Sequence, residues 1–219
     1  METNDQPKQK PPGTPRRGFL LSFALGAAAP LVLPLIDRLP HRRTNRKRLR
    51  PPGALDEAAF LDACIGCGQC ANVCPNKCIT LTGMENGVKE LATPQIIARA
   101  RGCIVCMACT QVCPTGALQP LEPTLEGKAA VDMGKAVLSE DICYSYAGRT
   151  CGACYRACPL PGKAMTIGLL EQPTVHIEHC IGCGLCEQAC IHMPQAIRII
   201  PKLELQQRNA KQGNPGSAA

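Results

Sequence analysis

The chain is 219 residues long, enough for one compact domain or two small ones, with no Trp, three Tyr and three Phe against seventeen Cys. So few large aromatic side chains and so many thiols exclude a hydrocarbon core as sole organiser; disulfides, zinc or iron–sulfur clusters remain, to be separated by spacing. The formal charge of +7 belongs to one end: residues 1–50 carry eleven Lys/Arg against three Asp/Glu and residues 51–219 thirteen against fourteen, so the body lacks the basic excess of a nucleic-acid binder.

In chain order, Thr14-Pro15-Arg16-Arg17-Gly18-Phe19-Leu20 comes first, opening an uncharged stretch that runs from Gly18 to Ile36. Paired arginines ahead of an apolar run predict a twin-arginine export signal over residues 1–36. The chemistry agrees, because clusters assembled in the cytoplasm need an export route for folded cargo. Nineteen uncharged residues also approach bilayer-spanning length, so signal and anchor are both expected readings. Cleavage at Ala27-Ala28-Ala29 stays open. The predicted location is periplasmic, with membrane contact through the leader if it is retained.

Residues 37–53 read as a basic linker, with six Lys/Arg between Arg42 and Arg50. Such a run is either a solvated connector or a strip that rests on anionic headgroups. Pro51-Pro52-Gly53 marks the boundary of a body expected over 54–202.

The body repeats four times. Unit one is Cys64, Cys67, Cys70 and Cys74-Pro75; unit two is Cys103, Cys106, Cys109 and Cys113-Pro114. Unit three is stretched, with seven residues between Cys143 and Cys151, then Cys154 and Cys158-Pro159. Unit four is Cys180, Cys183, Cys186 and Cys190, followed by Ile191 where the others have proline. A C-x2-C-x2-C loop can aim three sulfurs at three irons of one cube, and the fourth cysteine, three residues on, points to a neighbouring cube. Zinc sites instead use two C-x2-C pairs across a longer loop, and adjacent C-x2-C thiols would close only small, labile disulfide loops. These sixteen cysteines are therefore read as ligands of four [4Fe-4S] clusters. Cys78 is left over, as a buried free thiol or as a residue that tunes or replaces a ligand. His176, His179 and His192 flank unit four and are read as loop histidines or as hydrogen-bond partners of a cluster sulfur. No catalytic triad, carboxylate pair or phosphate-cradling loop stands out, so an electron carrier without a substrate site of its own is expected.

Short apolar stretches follow each unit: Cys78–Leu81, Ala117–Leu121, Met165–Leu169 and Ala196–Ile200. They predict strands after short helices, giving an α+β body of tandem ferredoxin-like halves around the four clusters. Ala129–Val137 reads as a further strand or turn, and the polar residues 203–219 as a flexible tail. Ligand exchange requires the units to pair. A sequential scheme joins one with two and three with four; a nested scheme, as in the four-cluster subunits of molybdenum oxidoreductases, joins one with four and two with three. Spacing leaves both open.

Arg50-Pro51-Pro52-Gly53-Ala54-Leu55, Phe60-Leu61 before unit one, the stretched unit three and Pro173-Thr174-Val175-His176 before unit four together resemble the MauM/NapG family of ferredoxin-type proteins. The likeness runs over about residues 14–202. It implies an exported polyferredoxin that passes electrons to periplasmic redox partners, a membrane quinol-oxidising polyferredoxin among them. One branch of the family serves periplasmic nitrate reductase and the other methylamine utilisation. Nitrate-branch members tend to carry extra residues between the second and third cysteines of unit two. The C-x2-C of Cys106 and Cys109 therefore makes this chain look more like the methylamine branch. A role as maturation factor for a partner redox enzyme is the other implied reading.

Overall fold

The computed structural model describes residues 48–212. The predicted leader and residues 37–47 of the predicted linker lie outside that range. Small helices and three two-stranded antiparallel sheets make up the described body, and none of its helices is long and apolar enough to cross a membrane.

Two halves repeat one plan. In the second half β3 (Gly134–Leu138) enters ahead of unit three and pairs along five residues with β6 (Ile197–Pro201), which leaves after unit four. Inside that outer pair sits a hairpin of β4 (Met165–Ile167) and β5 (Pro173–Val175). The first half has the same inner hairpin, from β1 (Ile79–Leu81) and β2 (Pro94–Ile96). Its outer pair shrinks to one bridge, Ala54 with Leu118, flanked by Leu55 N–H to Ala117 O (3.1 Å) and Gln119 N–H to Gly53 O (2.7 Å).

The stretch Ala117–Leu121, expected as a strand, is therefore a bridge and not a ladder. Pro51, Pro52 and Pro120 cannot donate to one, and Gly53 turns at φ 73° with Gln119 O where a Cβ would sit. The Ala129–Val137 stretch divides: helix α4 (Leu125–Ala129) precedes it, capped by Thr124 Oγ1 accepting from Gly127 N–H, and β3 begins at Gly134. The other helices are α1 (Glu57–Ala63) ahead of unit one and four short cysteine-bearing helices described below. Helix α7 (Lys202–Gln212) ends the body.

Two expected boundaries move. The linker was taken to run through Gly53, but Arg48, Leu49 and Arg50 are buried in the body. Leu49 O accepts from Ile96 N–H (2.8 Å), so it extends the β1–β2 sheet by one bridge. Arg50 holds Glu57 through two nitrogens (3.0 and 2.5 Å), donates to Thr93 Oγ1 and Pro94 O, and stacks over the fully buried Phe60 ring at 4.7 Å. Arg48 pairs with Glu90 (2.6 Å) and Gln95. A charge run looks solvated when its partners lie some forty residues downstream. The flexible tail expected from residue 203 begins instead as α7, whose straight-chain helix formers Leu203, Glu204, Leu205, Gln206 and Gln207 and Glu204–Arg208 pair (2.7 Å) favour helix over coil.

Cysteine replaces aromatic bulk in the core. The larger apolar cluster packs Phe60, Ile96, Val105, Met107 and Leu118 against six buried thiols, among them Cys70, Cys74 and Cys103. The smaller surrounds Met165, Ile197, Ala136 and Cys186.

Candidate metal centres

All four units use one backbone device. Directly after the second cysteine comes a residue in the left-handed region, then a one-turn helix that carries the third cysteine. That residue is Gly68 before α2 (Gln69–Asn72), Met107 before α3 (Ala108–Gln111), Gly152 before α5 (Ala153–Ala157) and Gly184 before α6 (Leu185–Ala189). Glycine reaches this region without penalty. Met107 does not, yet it sits there at φ 62°, with Val105 at φ 57° two residues earlier. Both side chains are 1% exposed, so burying them offsets a cost of about 1–2 kcal/mol per residue.

The device gathers the thiols in fours. One cavity is lined by Cys64, Cys67, Cys70 and Cys113. A second is lined by Cys158, Cys180, Cys183 and Cys186. A third is lined by Cys143, Cys151, Cys154 and Cys190. Each takes three cysteines from one unit and the last from its sequence neighbour. Cys74, Cys103, Cys106 and Cys109 form the remaining set. Cys109 is pushed up to about 12 by burial and then by Cys106, Cys70 and Cys74, while Cys78 abuts both Cys74 (Sγ–Sγ 3.6 Å) and Cys103. The thiols thus adopt the sequential pairing.

The electrostatics say what these cavities need. Burial, together with the thiols of its own set, pushes Cys70 and Cys154 up to about 11 and Cys183 up to about 12. Cys186, also buried, is raised well above the ordinary thiol value. Four thiolates are unfavourable there unless positive charge sits among them, and coordinated iron supplies that charge. Cys113 goes the other way: burial opposes the thiolate, but N–H donors from Leu118, Thr115 and Ala117 and the Thr115 hydroxyl outweigh it.

All seventeen cysteines lie among the described residues and all are free thiols. Among those residues no three His, Cys, Asp or Glu side chains close on a single metal ion. Zinc requires four ligands at one centre, whereas four sulfurs spread around a cavity suit a cubane with separate iron corners. The residues fit the cluster.

Two stretches, residues 63–117 and residues 135–191, each match a family model described as a 4Fe-4S dicluster domain. Units one and two fall in the first and three and four in the second, the same division as the cavities. The methylamine utilization ferredoxin-type protein MauM of Methylorubrum extorquens is 37% identical over 205 residues, covering 87% of this chain and 91% of the relative. The ferredoxin-type protein NapG of Escherichia coli is 36% identical over 205 residues, covering 87% of each. MauM of Methylobacillus flagellatus is 40% identical over 164 residues, covering 70% of this chain and 68% of the relative.

The chain belongs to the MauM/NapG family of ferredoxin-type proteins.

Its chemistry is accordingly ferredoxin-type electron transfer through [4Fe-4S] clusters held by two tandem dicluster domains. Backbone N–H groups already aim at cysteine sulfurs of these sets: Val105 at Cys103 (3.3 Å), Leu118 at Cys113 (3.4 Å) and Ala136 at Cys180 (3.3 Å). Bonds of this kind stabilise the more negative, reduced state and raise the potential.

Of the residues left open by sequence, Cys78 is 3% exposed and lies outside the four sets of four, although it touches Cys74 and Cys103 of one. His192 lines the Cys143 cavity, with its ring edge-on to Tyr144 at 4.9 Å. His176 instead bonds Thr166 of β4 (3.0 Å). A further cleft is lined by charged residues such as Arg50, Glu57, Asp56 and Lys202, and no cysteine borders it. What sequence reasoning missed is the contact between the halves: Cys103 N–H donates to Cys183 O (2.7 Å), and Arg99 reaches the carbonyls of Glu187 and Cys190. The glycine at 102 was its one local signal, and without the fold it is silent.

Proposed function

We propose that this protein is a periplasmic electron carrier holding four [4Fe-4S] clusters. Its ligands are Cys64, Cys67, Cys70 and Cys113; Cys103, Cys106, Cys109 and Cys74; Cys143, Cys151, Cys154 and Cys190; and Cys180, Cys183, Cys186 and Cys158. The observation that carries the reading is the set of three cavities, each lined by four cysteines in the three-plus-one pattern. Each half is then a ferredoxin-like unit, and each cluster takes up and gives back one electron. The protein's own share is to exclude water, direct N–H groups at sulfur and hold the ligand sets close together. Protein prepared without oxygen is expected to contain about sixteen irons per chain and as many sulfides. Stepwise reduction followed by EPR is expected to develop four signals. A colourless, iron-free preparation overturns the reading.

Export rests on Arg16-Arg17 and the apolar run behind them. Replacing both arginines by lysine is expected to leave the protein in the cytoplasm, and an unchanged periplasmic fraction would refute this route. For the pathway we favour methylamine oxidation, because Cys106 and Cys109 are spaced C-x2-C. NapG relatives of equal identity support the other branch, relay from quinol to periplasmic nitrate reductase. A deletion strain that loses growth on methylamine but keeps nitrate respiration supports the first, and the reverse pattern supports the second. Partner enzyme that accumulates without its mature cofactor would mean a maturation factor.

A further inference from the structure

The two dicluster domains touch through ligand-bearing loops rather than through remote surface. Cys103 N–H donates to Cys183 O at 2.7 Å, directly joining the first cysteine of unit two to the second cysteine of unit four. One residue earlier, Gly102 N–H donates to Gln188 Oε1 (2.8 Å) and Gly102 O accepts from Asn76 Nδ2 (2.7 Å). At Gly102 a Cβ would lie 2.6 Å from Leu185 N and 2.8 Å from the Gly184 carbonyl carbon, so only glycine lets the two backbones close. Arg99 locks the same contact from the side, donating to carbonyls at the end of α6. Cys103 and Cys183 are both buried, at 6% and 7% exposure, so water is kept from the junction.

Neighbour relations inside each half complete a line. Within each half the sets interlock through exchanged cysteines: Cys113 of unit two lines the Cys64 cavity, Cys158 of unit three the Cys180 cavity and Cys190 of unit four the Cys143 cavity. At one end Cys67 is exposed beside Ile65, and at the other Cys190 is followed by exposed Ile191 and Met193.

We infer that the Gly102–Cys103/Cys183–Gly184 junction is the electronic bridge between the two domains, so that the ligand sets lie in the order Cys64, Cys103, Cys180, Cys143 along one relay. This order differs from the order in sequence, where the Cys143 unit comes third. It rests on the four-cluster reading above. Crossing the bridge moves a single electron: the Cys103-set cluster is oxidised by one electron and the Cys180-set cluster reduced by one. No bond or proton changes hands. Tunnelling falls steeply with distance, and a short path of backbone and one hydrogen bond between buried ligands favours this crossing over any through solvent. The two ends meet a one-electron redox protein each.

The test uses full-length holoprotein prepared without oxygen and reduced with dithionite. Cys64→Ala/Cys67→Ala together with Cys143→Ala/Cys151→Ala remove two ligands from each terminal set, so that neither terminal cluster is retained and the two inner clusters are the paramagnets. Their EPR signals are expected to remain split by mutual coupling although they belong to different domains. Two independent, unbroadened signals overturn the inference. In a second arm Gly102→Val, which wedges the backbones apart, is expected to keep wild-type iron and sulfide yet lose the inter-domain coupling and slow electron equilibration between domains about tenfold or more. Wild-type coupling and rate at full iron content would also overturn it. A wild-type preparation lacking four clusters would instead defeat the underlying four-cluster reading, so the two failures are distinguishable.

Discussion

The two halves hold the same cysteine frame with different scaffolding. In the second half the outer strands pair over five residues, and Ala136 N–H on β3 donates to Cys180 Sγ (3.3 Å), so backbone carries the frame. In the first half the outer pair is one bridge, and Arg48 and Arg50 stand in for the missing ladder. The difference shows that the cluster motif specifies its loop locally and leaves open how that loop is braced. It also separates two kinds of loss: side-chain bracing fails when one partner is removed, whereas a ladder fails only when its packing does.

The largest expected effect erases the distinction. Stripping iron from the holoprotein with a chelator under reducing conditions leaves the cysteine-lined cavities with nothing to hold their walls together, and both halves are expected to lose their cooperative melting transition together. A half that still melts cooperatively without iron would show that its scaffold is sufficient alone.

Next come substitutions that strike one half. Arg50→Ala strands Glu57 and uncovers Phe60, and is expected to destabilise the first half by about 3 kcal/mol. Ile197→Ala, at a side chain 1% exposed beneath the outer ladder, is expected to cost the second half about 2–4 kcal/mol. Denaturant unfolding monitored through cluster absorbance gives both numbers. Equal loss from both halves in either variant would mean that they unfold as one unit.

Unit two against unit four gives a finer comparison. Met107 and Gly184 occupy the same left-handed place, one fully buried, the other so placed that a Cβ would lie 2.7 Å from Ala98 Cβ. Met107→Gly is expected to relieve about 1 kcal/mol of backbone strain but lose more in packing, for a net loss of about 1–3 kcal/mol. A neutral or stabilising result would show that the side chain contributes little. The smallest effect is expected from Cys78→Ala. On the four-cluster reading proposed above, stability should barely change, while the potential of the cluster assigned to the Cys103 set moves more negative as a hydrogen-bonding neighbour of Cys74 is lost. A redox titration of the variant with no potential displaced would make Cys78 a space-filler.

The spacing of the cysteines and the strands at Ile79, Met165 and Ile197 were legible because each depends on residues within a few positions of one another. The segment around Gln119 misled for the opposite reason: its apolar pattern suggested a strand, but Pro120 on its own side and Pro51 and Pro52 on the other have no N–H to give, so pairing stops at the Ala54–Leu118 bridge. Arg48 and Arg50 looked like linker because Glu90 and Thr93 lie about forty residues away, and a count of charge carries no partners.

By itself the sequence determined the sixteen-thiol pattern, the near-absence of aromatic core and the family, all set by local spacing and composition. Only the tertiary structure decided that neighbouring units share thiols, that the core begins at Arg48, and that Cys103 meets Cys183. These are contacts between segments far apart in the chain. Their geometry follows from how whole elements pack, which no window of residues contains.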